Sequence, residues 1–186
     1  SAKILRKYKK IDCLINCAFK NPVPTNQKKI DIFNLKSFIE DLNDNFTTTL
    51  LSIKYFGSVM KKNKNGGSII NLSSDLGLIS PDQRLYSHMN YFKPISYSVS
   101  KHGIIGLTKY IATLWAKNKI RCNSIAPGGI YNGQNNNFVK KVSKLIPLGR
   151  MAKKDEYNDL MIFLCSDKSS YITGSTIVAD GGRTIW

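Results

Sequence analysis

Apolar runs bounded by Gly, Asn, Pro and Ser divide the chain into short strands alternating with longer helices. Ile11–Ala18 (IDCLINCA) is apolar without strict alternation, as expected of a strand covered by helices on both sheet faces. Ser68–Leu72, Ile120–Ile125 and Ser175–Ala179 read as strands in the same way. Between them, apolar residues at helical spacing predict a helix over Leu35–Lys62, broken around Asp41–Asn45. A second helix is predicted over Ser96–Lys117, burying Ile104, Ile105, Ile111 and Trp115, and a third over Asp155–Leu164. Ser1–Lys10 reads as the end of a further helix, Asn21–Asn34 as a polar loop and Asn63–Gly67 as a turn. Strand–helix alternation predicts an α/β fold with four parallel strands and helices on both faces.

Candidate chemistry gathers after the second strand. Ser74 follows its carboxyl end, and Tyr97-Ser-Val-Ser-Lys101 opens the long helix. Residues i and i+4 share a helix face, so the Tyr97 phenol and the Lys101 ammonium point the same way. A nearby cation favours the phenolate and lowers a pKa that is otherwise too high for proton transfer near neutrality. Ser74 is placed to donate a hydrogen bond to the oxygen that the tyrosine protonates. Taken alone, the spacing also fits an exposed helix pair, since tyrosines and lysines are abundant here. Within the loop between Ser74 and Tyr97, Gln83, Arg84 and His88 belong to a candidate substrate wall. Gln83 and Arg84 are the tentative contacts to hydroxyls or a carboxylate, the alternative being a solvated surface loop.

Several blocks tie this arrangement to a family: IDCLINCA, the asparagine of DNFTTTLL, SIINLSS, YSVSKHGIIGLTK, IRCNSIAPGGI and YITGSTIVADGG. From about Ile11 onward the chain resembles the short-chain dehydrogenase/reductases. SDLGLISPDQRLY, KPISYSVSKHG and PLGRMAKKDEY are similar to one branch, oxidoreductases associated with flagellin modification and the synthesis of sialic-acid-like sugars. The resemblance implies the C-terminal part of a doubly wound Rossmann-type sheet. It also implies NAD(P)-dependent oxidation or reduction of a sugar-like alcohol or ketone, with NAD or NADP as cofactor. Tyr97 then becomes the acid/base and Ser74 the carbonyl partner. Lys101 becomes the cation that also holds the nicotinamide ribose, and Asn45 the member that completes a proton relay. Tyr97, Lys101, Asn16, Ala18, Pro127, Gly128, Ile130 and Asn132 are the implied cofactor contacts. Cys17 and Phe19 depart from the family's Asn-Asn-Ala-Gly bend, and Asn132 stands where the family has threonine. The segment Gly133–Phe138 is expected to be mobile and to lead into a substrate lid. The long helices imply a homodimer or homotetramer in the full-length form.

The family's Thr-Gly-x-x-x-Gly-x-Gly turn, which seats the pyrophosphate on a helix N-terminus, occurs nowhere in the chain. The expectation is one partial domain over residues 1–186, without its first strands and about 60–80 residues of the parent fold. A rival reading follows, in which a cofactor-deficient fragment acts as a non-catalytic binding or scaffold protein.

Composition changes little. A formal charge of +16, from 28 Lys and Arg against 12 Asp and Glu, admits attraction of acidic partners or a compositionally biased proteome. The lysines are scattered and no nucleic-acid-binding motif is present, so no specific nucleic-acid partner is expected. Four cysteines without a Cys-x-x-Cys pattern and two histidines read as reduced, buried thiols and no metal site. No signal peptide and no membrane-spanning apolar run is visible, from which a soluble, cytoplasmic protein is expected, and the resemblance implies a small-molecule substrate.

Overall fold

The computed structural model describes residues 2–22, 24, 32–87 and 91–186, so His88 and most of the loop after Asn21 lie outside the described residues. Four parallel strands form one sheet in sequence order: β1 (Cys13–Asn16), β2 (Gly67–Leu72), β3 (Ile120–Pro127) and β4 (Thr176–Ala179). The expected four-stranded parallel sheet is therefore present. β1 and β4 are shorter than expected, while β2 begins one residue earlier and β3 runs two residues further, to Pro127.

Alternation along the central strands sorts the core into two layers. Ile69 and Cys122 point to one face, where Leu107, Ile111 and Trp115 close over them with Ile53 and Met60. Ile70 and Ile125 point to the other face and meet Leu164 of α7 (Asn158–Cys165). The first layer is roofed by α5 (Ile95–Leu114), which ends earlier than the predicted helix. Trp115 already leaves helical geometry, and a short 3-10 turn over Ala116–Asn118 leads into β3. In α5, Leu107 and Thr108 are buried, while Ile105 is only half-buried.

A row of polar side chains crosses the sheet near its carboxyl end. Asn16, Asn71, Ser124 and Thr176 stand in register on adjacent strands. Asn16 donates to Asn71 at 2.8 Å, Asn71 donates to Thr108 of α5 at 2.9 Å, and Ser124 and Thr176 share a hydrogen bond of 2.7 Å. Every member finds a partner, so the row fixes register at little desolvation cost.

The helix predicted over Leu35–Lys62 is continuous but changes pitch twice. α2 (Leu35–Leu42), α3 (Thr48–Ser52) and α4 (Ser58–Met60) are separated by π-helical turns at Asn43–Thr47 and Ile53–Gly57. The expected break thus takes the form of a widened turn, which often marks a functional position. α1 (Ala2–Tyr8) precedes β1, and α6 (Asn136–Ser143) occupies part of the segment expected to be a mobile lead into a lid. Among the described residues no helix is long and apolar enough to cross a membrane.

Cys17 corrects one expectation: it is exposed, because β1 ends at Asn16 and Cys17 opens the following loop. All four cysteines are free thiols.

Candidate active site

β2 delivers Leu72, Ser73 and Ser74 to the carboxyl edge of the sheet, where α5 begins. Pro94 caps α5 in an extended conformation, which suits a residue that cannot donate a backbone hydrogen bond, and Tyr97 and Lys101 fall in the first two turns. Two hydrogen bonds lock strand to helix: Ser73 Oγ donates to the Lys101 carbonyl at 2.8 Å, and Lys101 Nζ donates to the Leu72 carbonyl at 2.9 Å. Ser74 caps a 3-10 turn over Asp75–Gly77, accepting from the Leu76 amide at 3.2 Å and donating to Asp75 Oδ1 at 2.7 Å.

Tyr97 is enclosed. The Phe19 ring meets it edge-on with centroids 5.3 Å apart, and Lys93 Nζ lies 3.9 Å from its centroid. Burial raises the Tyr97 pKa, the nearby Ser74 hydroxyl opposes this, and the Asp75 charge adds to the rise. This corrects the expectation that a cation lowers it. The Lys101 ammonium is turned to Leu72 and to the face of Phe19, 3.8 Å from that ring and 5.8 Å from the Tyr97 ring. Burial, helped by the Lys93 charge, instead lowers Lys101 itself to about 8. Lys93, which donates to Asn21 Oδ1 at 2.7 Å, is lowered to about 8 by burial as well.

These shifts set a pH dependence of stability. Between about pH 8 and the ordinary lysine value of 10.5 the unfolded chain binds more protons than the folded one, so stability rises with pH. The opposite holds for Cys13 and Cys122, raised from 9.0 to about 12, and for Tyr86 and Tyr157, raised from 10.0 to about 12, all chiefly by burial. Above pH of about 9 these groups hold protons more tightly when folded, and stability falls. Urea midpoints measured across this range are expected to peak near pH of about 9. The rise from about pH 8 to 9 should approach ~1 kcal/mol per lysine and be roughly halved in Lys101→Met. A monotonic decline from neutrality would contradict the burial of both ammonium groups.

Asn45 sits in the first π turn and is buried. Its Oδ1 accepts from the Lys20 amide at 2.9 Å, while its Nδ2 has no partner among the described residues. That orphaned donor borders a cavity of about 10 Å³, shared with Asn16, Ala18, Phe19, Ser100 and Lys101. The space suits roughly one water. The unpartnered Asn45 amide and Ser100 hydroxyl, with the Lys101 ammonium beside them, are donors of the kind a ribose or a relaying water requires, in a space that as it stands suits the water.

The other expected residues are more scattered. Pro127 ends β3 and Gly128 packs on the Asp180 backbone. Ile130 forms an isolated bridge with Ala152, and Asn132 is exposed. A larger cavity of about 210 Å³ lies on this side, between Gly128, Ile146, Tyr157 and Asp180, and none of Ser74, Tyr97 or Lys101 lines it. Ser74 and Tyr97 line neither this cavity nor the smaller one, which Asn45 and Lys101 border. Gln83 and Arg84 are committed within their own loop. The Gln83 amide bonds both backbone groups of Lys93, at 2.8 and 3.3 Å, and the Arg84 fork grips Asp82 at 2.8 and 2.9 Å. Lys93 and Asp75, which contact Tyr97 and Ser74, are the neighbours of the candidate site that the sequence reading missed. A lysine just before the helix-opening proline and an acid directly after Ser74 were the available signals.

Residues 1–184 match the family model described as "Enoyl-(Acyl carrier protein) reductase". The chain is 33% identical over 178 residues to Post-translational flagellin modification protein A of Campylobacter coli, covering 95% of this chain and 68% of that protein. It is 34% identical over 193 residues to the 3-oxoacyl-(acyl-carrier-protein) reductase of Thermotoga maritima, covering 98% of this chain and 70% of that one. Among solved structures, a short chain dehydrogenase from Leptospira borgpetersenii with bound NAD+ superposes with a TM-score of 0.87 at 34% identity, covering 98% of this chain and 68% of that chain.

Proposed function

This chain belongs to the short-chain dehydrogenase/reductase family, and on that premise we propose that it is an NAD(P)-dependent oxidoreductase interconverting an alcohol and a ketone on a sugar-like substrate. One observation carries the reading: α5 brings Tyr97 and the buried Lys101 ammonium, anchored on the Leu72 carbonyl at 2.9 Å, to the end of β2 where Ser74 stands. When bound, the nicotinamide supplies or takes up the hydride.

Tyr97, with its pKa raised, is a neutral phenol at working pH and hands its proton to a carbonyl oxygen in the reductive direction. Ser74 meets the same oxygen and fixes its position. Lys101 supplies positive charge to the tyrosinate left behind, and turns to the ribose once the Phe19 ring moves from its face. Asn45 holds a water at its unpartnered Nδ2 and passes protons between Lys101 and solvent. On the family pattern, Asn16, Ala18, Pro127, Gly128, Ile130 and Asn132 complete the surroundings of the cofactor. The sugar-like substrate rests on the SDLGLISPDQRLY and KPISYSVSKHG segments and is supported by the flagellin-modification relative. A homodimer or homotetramer belongs to the same reading, supported by exposed Leu50, Leu51 and Tyr55 on the α2–α4 run and exposed Val99, Tyr110 and Leu114 on α5.

A second reading, a binding protein without turnover, is favoured by the Phe19 ring lying 3.8 Å from the Lys101 ammonium beside so small a cavity. One experiment separates the two. Calorimetric titration with NAD+ and NADP+ is paired with a panel of polyols, sugar alcohols and keto-sugars, followed by nicotinamide absorbance. Joined to a Gly-rich pyrophosphate turn of the kind this sequence lacks, the chain is expected to bind saturably and turn over at least one member, while the 186 residues alone are expected to bind the dinucleotides weakly. For the joined chain, binding without turnover across the panel would favour the second reading, and absence of binding would sink the first.

A further inference from the structure

We propose that Asp75 is a positioning residue that decides, through one hydroxyl hydrogen, whether Ser74 can donate to a substrate oxygen. The inference rests on the reading of Ser74 as the group that meets that oxygen.

A serine hydroxyl has a single hydrogen and two lone pairs. In this structure the hydrogen is committed: Ser74 Oγ donates to Asp75 Oδ1 at 2.7 Å. The arrangement is rigid, because the Leu76 amide donates to both acceptors, at 3.2 Å to Ser74 Oγ and at 2.7 Å to Asp75 Oδ1. Ser74 is 5% exposed and caps the turn to which Asp75 belongs. While Asp75 is ionised, Ser74 therefore presents only lone pairs to the site. It can accept from the Tyr97 phenol or an alcohol, but it cannot donate to a carbonyl. When Asp75 takes a proton from solvent, the carboxyl becomes a donor to Ser74 Oγ and the serine hydrogen is free to turn toward the substrate.

The surroundings place this exchange above the usual carboxylate range. Burial raises the Asp75 pKa, and the Ser74 and Leu76 hydrogen bonds oppose it. Arg183 favours the carboxylate, and Asp180 disfavours it. Lys93, whose own charge Asp75 stabilises, favours the carboxylate in return. Tyr97, Tyr86 and Tyr157 also feel the Asp75 charge and are neutral in the working range. Carbonyl reduction is thus favoured below the Asp75 midpoint and alcohol binding above it.

Two measurements test this. In the first, carboxyl carbon resonances of aspartate-labelled protein are titrated in the wild type and in Ser74→Ala. Loss of the serine donor is expected to move the Asp75 midpoint upward, and an unmoved midpoint would overturn the proposal even in a preparation without turnover. In the second, kcat/KM for reduction is followed against pH. The wild type is expected to lose roughly a hundredfold across the Asp75 titration, the cost of one oxyanion donor. Asp75→Asn, checked by circular dichroism, is expected to lose that limb, because a carboxamide donates to Ser74 at every pH. A variant keeping the wild-type limb would equally overturn the proposal. A wild type inactive on every substrate would instead count against the oxidoreductase reading, leaving the carbon titration to decide the role of Asp75.

Discussion

Tyr97→Phe is expected to lower turnover by roughly 10²–10⁴-fold, the usual contribution of a positioned acid/base, with dinucleotide affinity changed little. The substitution removes one oxygen and leaves the ring. The edge-on contact with Phe19 and the Lys93 ammonium over the ring face both depend on the ring alone. What is lost is the phenol proton. Lys101→Met is expected to differ in kind. It removes the donor to the Leu72 carbonyl that helps tie β2 to α5, so it should lower affinity, turnover and stability together. Turnover and calorimetric titration of both variants make the comparison. A Tyr97→Phe protein with most of its turnover would show that the proton comes from elsewhere.

The spacing of Tyr97 and Lys101 was legible in the sequence because a helix face repeats, and the strands were legible because sheets covered on both faces are written in unbroken apolar runs. Electrostatics was not. Spacing suggests an ammonium beside a phenol, but the outcome depends on where the lysine ends. Here it turns to a strand carbonyl and to Phe19, a residue 82 positions earlier whose only signal was its departure from a glycine. The loop after Ser74 misleads for a similar reason. Arg84 looks like a fork for a substrate carboxylate until Asp82, two residues back, is seen to fill it. Asp75 and Lys93 were unreadable because their importance lies in what burial does to them, and burial is a property of the whole fold. The pitch changes around Asn45 were visible only as a doubtful break, since an i+5 turn leaves no pattern in the side chains.

Gly77→Ala is expected to disturb both stability and the proposed chemistry, because the turn capped by Ser74 and the helix carrying Tyr97 and Lys101 meet at this residue. A Cβ there would stand 2.4 Å from Ser73 Oγ, 2.9 Å from the Lys101 carbonyl oxygen and 3.0 Å from its carbon. The hydroxyl has no room to retreat, since Ser73 is buried and bonded to that same carbonyl at 2.8 Å. Two of the three atoms are backbone of α5, so relief requires the 3-10 turn carrying Ser74 to back away from the helix carrying Tyr97 and Lys101. Overpacking of this kind costs about 1–3 kcal/mol. A displacement of order 1 Å between Ser74 and Tyr97 should cost roughly 10²-fold in rate. Gly106→Ala supplies the contrast within the same helix. A Cβ at Gly106 would meet no atom within 4 Å, and the residue is exposed, so replacing glycine in a helix interior should stabilise by about 0.5–1 kcal/mol. Urea unfolding and turnover of the two variants should therefore move in opposite directions in stability, with turnover falling only in Gly77→Ala. Equal stability for both, with turnover intact, would mean that the spacing between turn and helix does not set the geometry of the site.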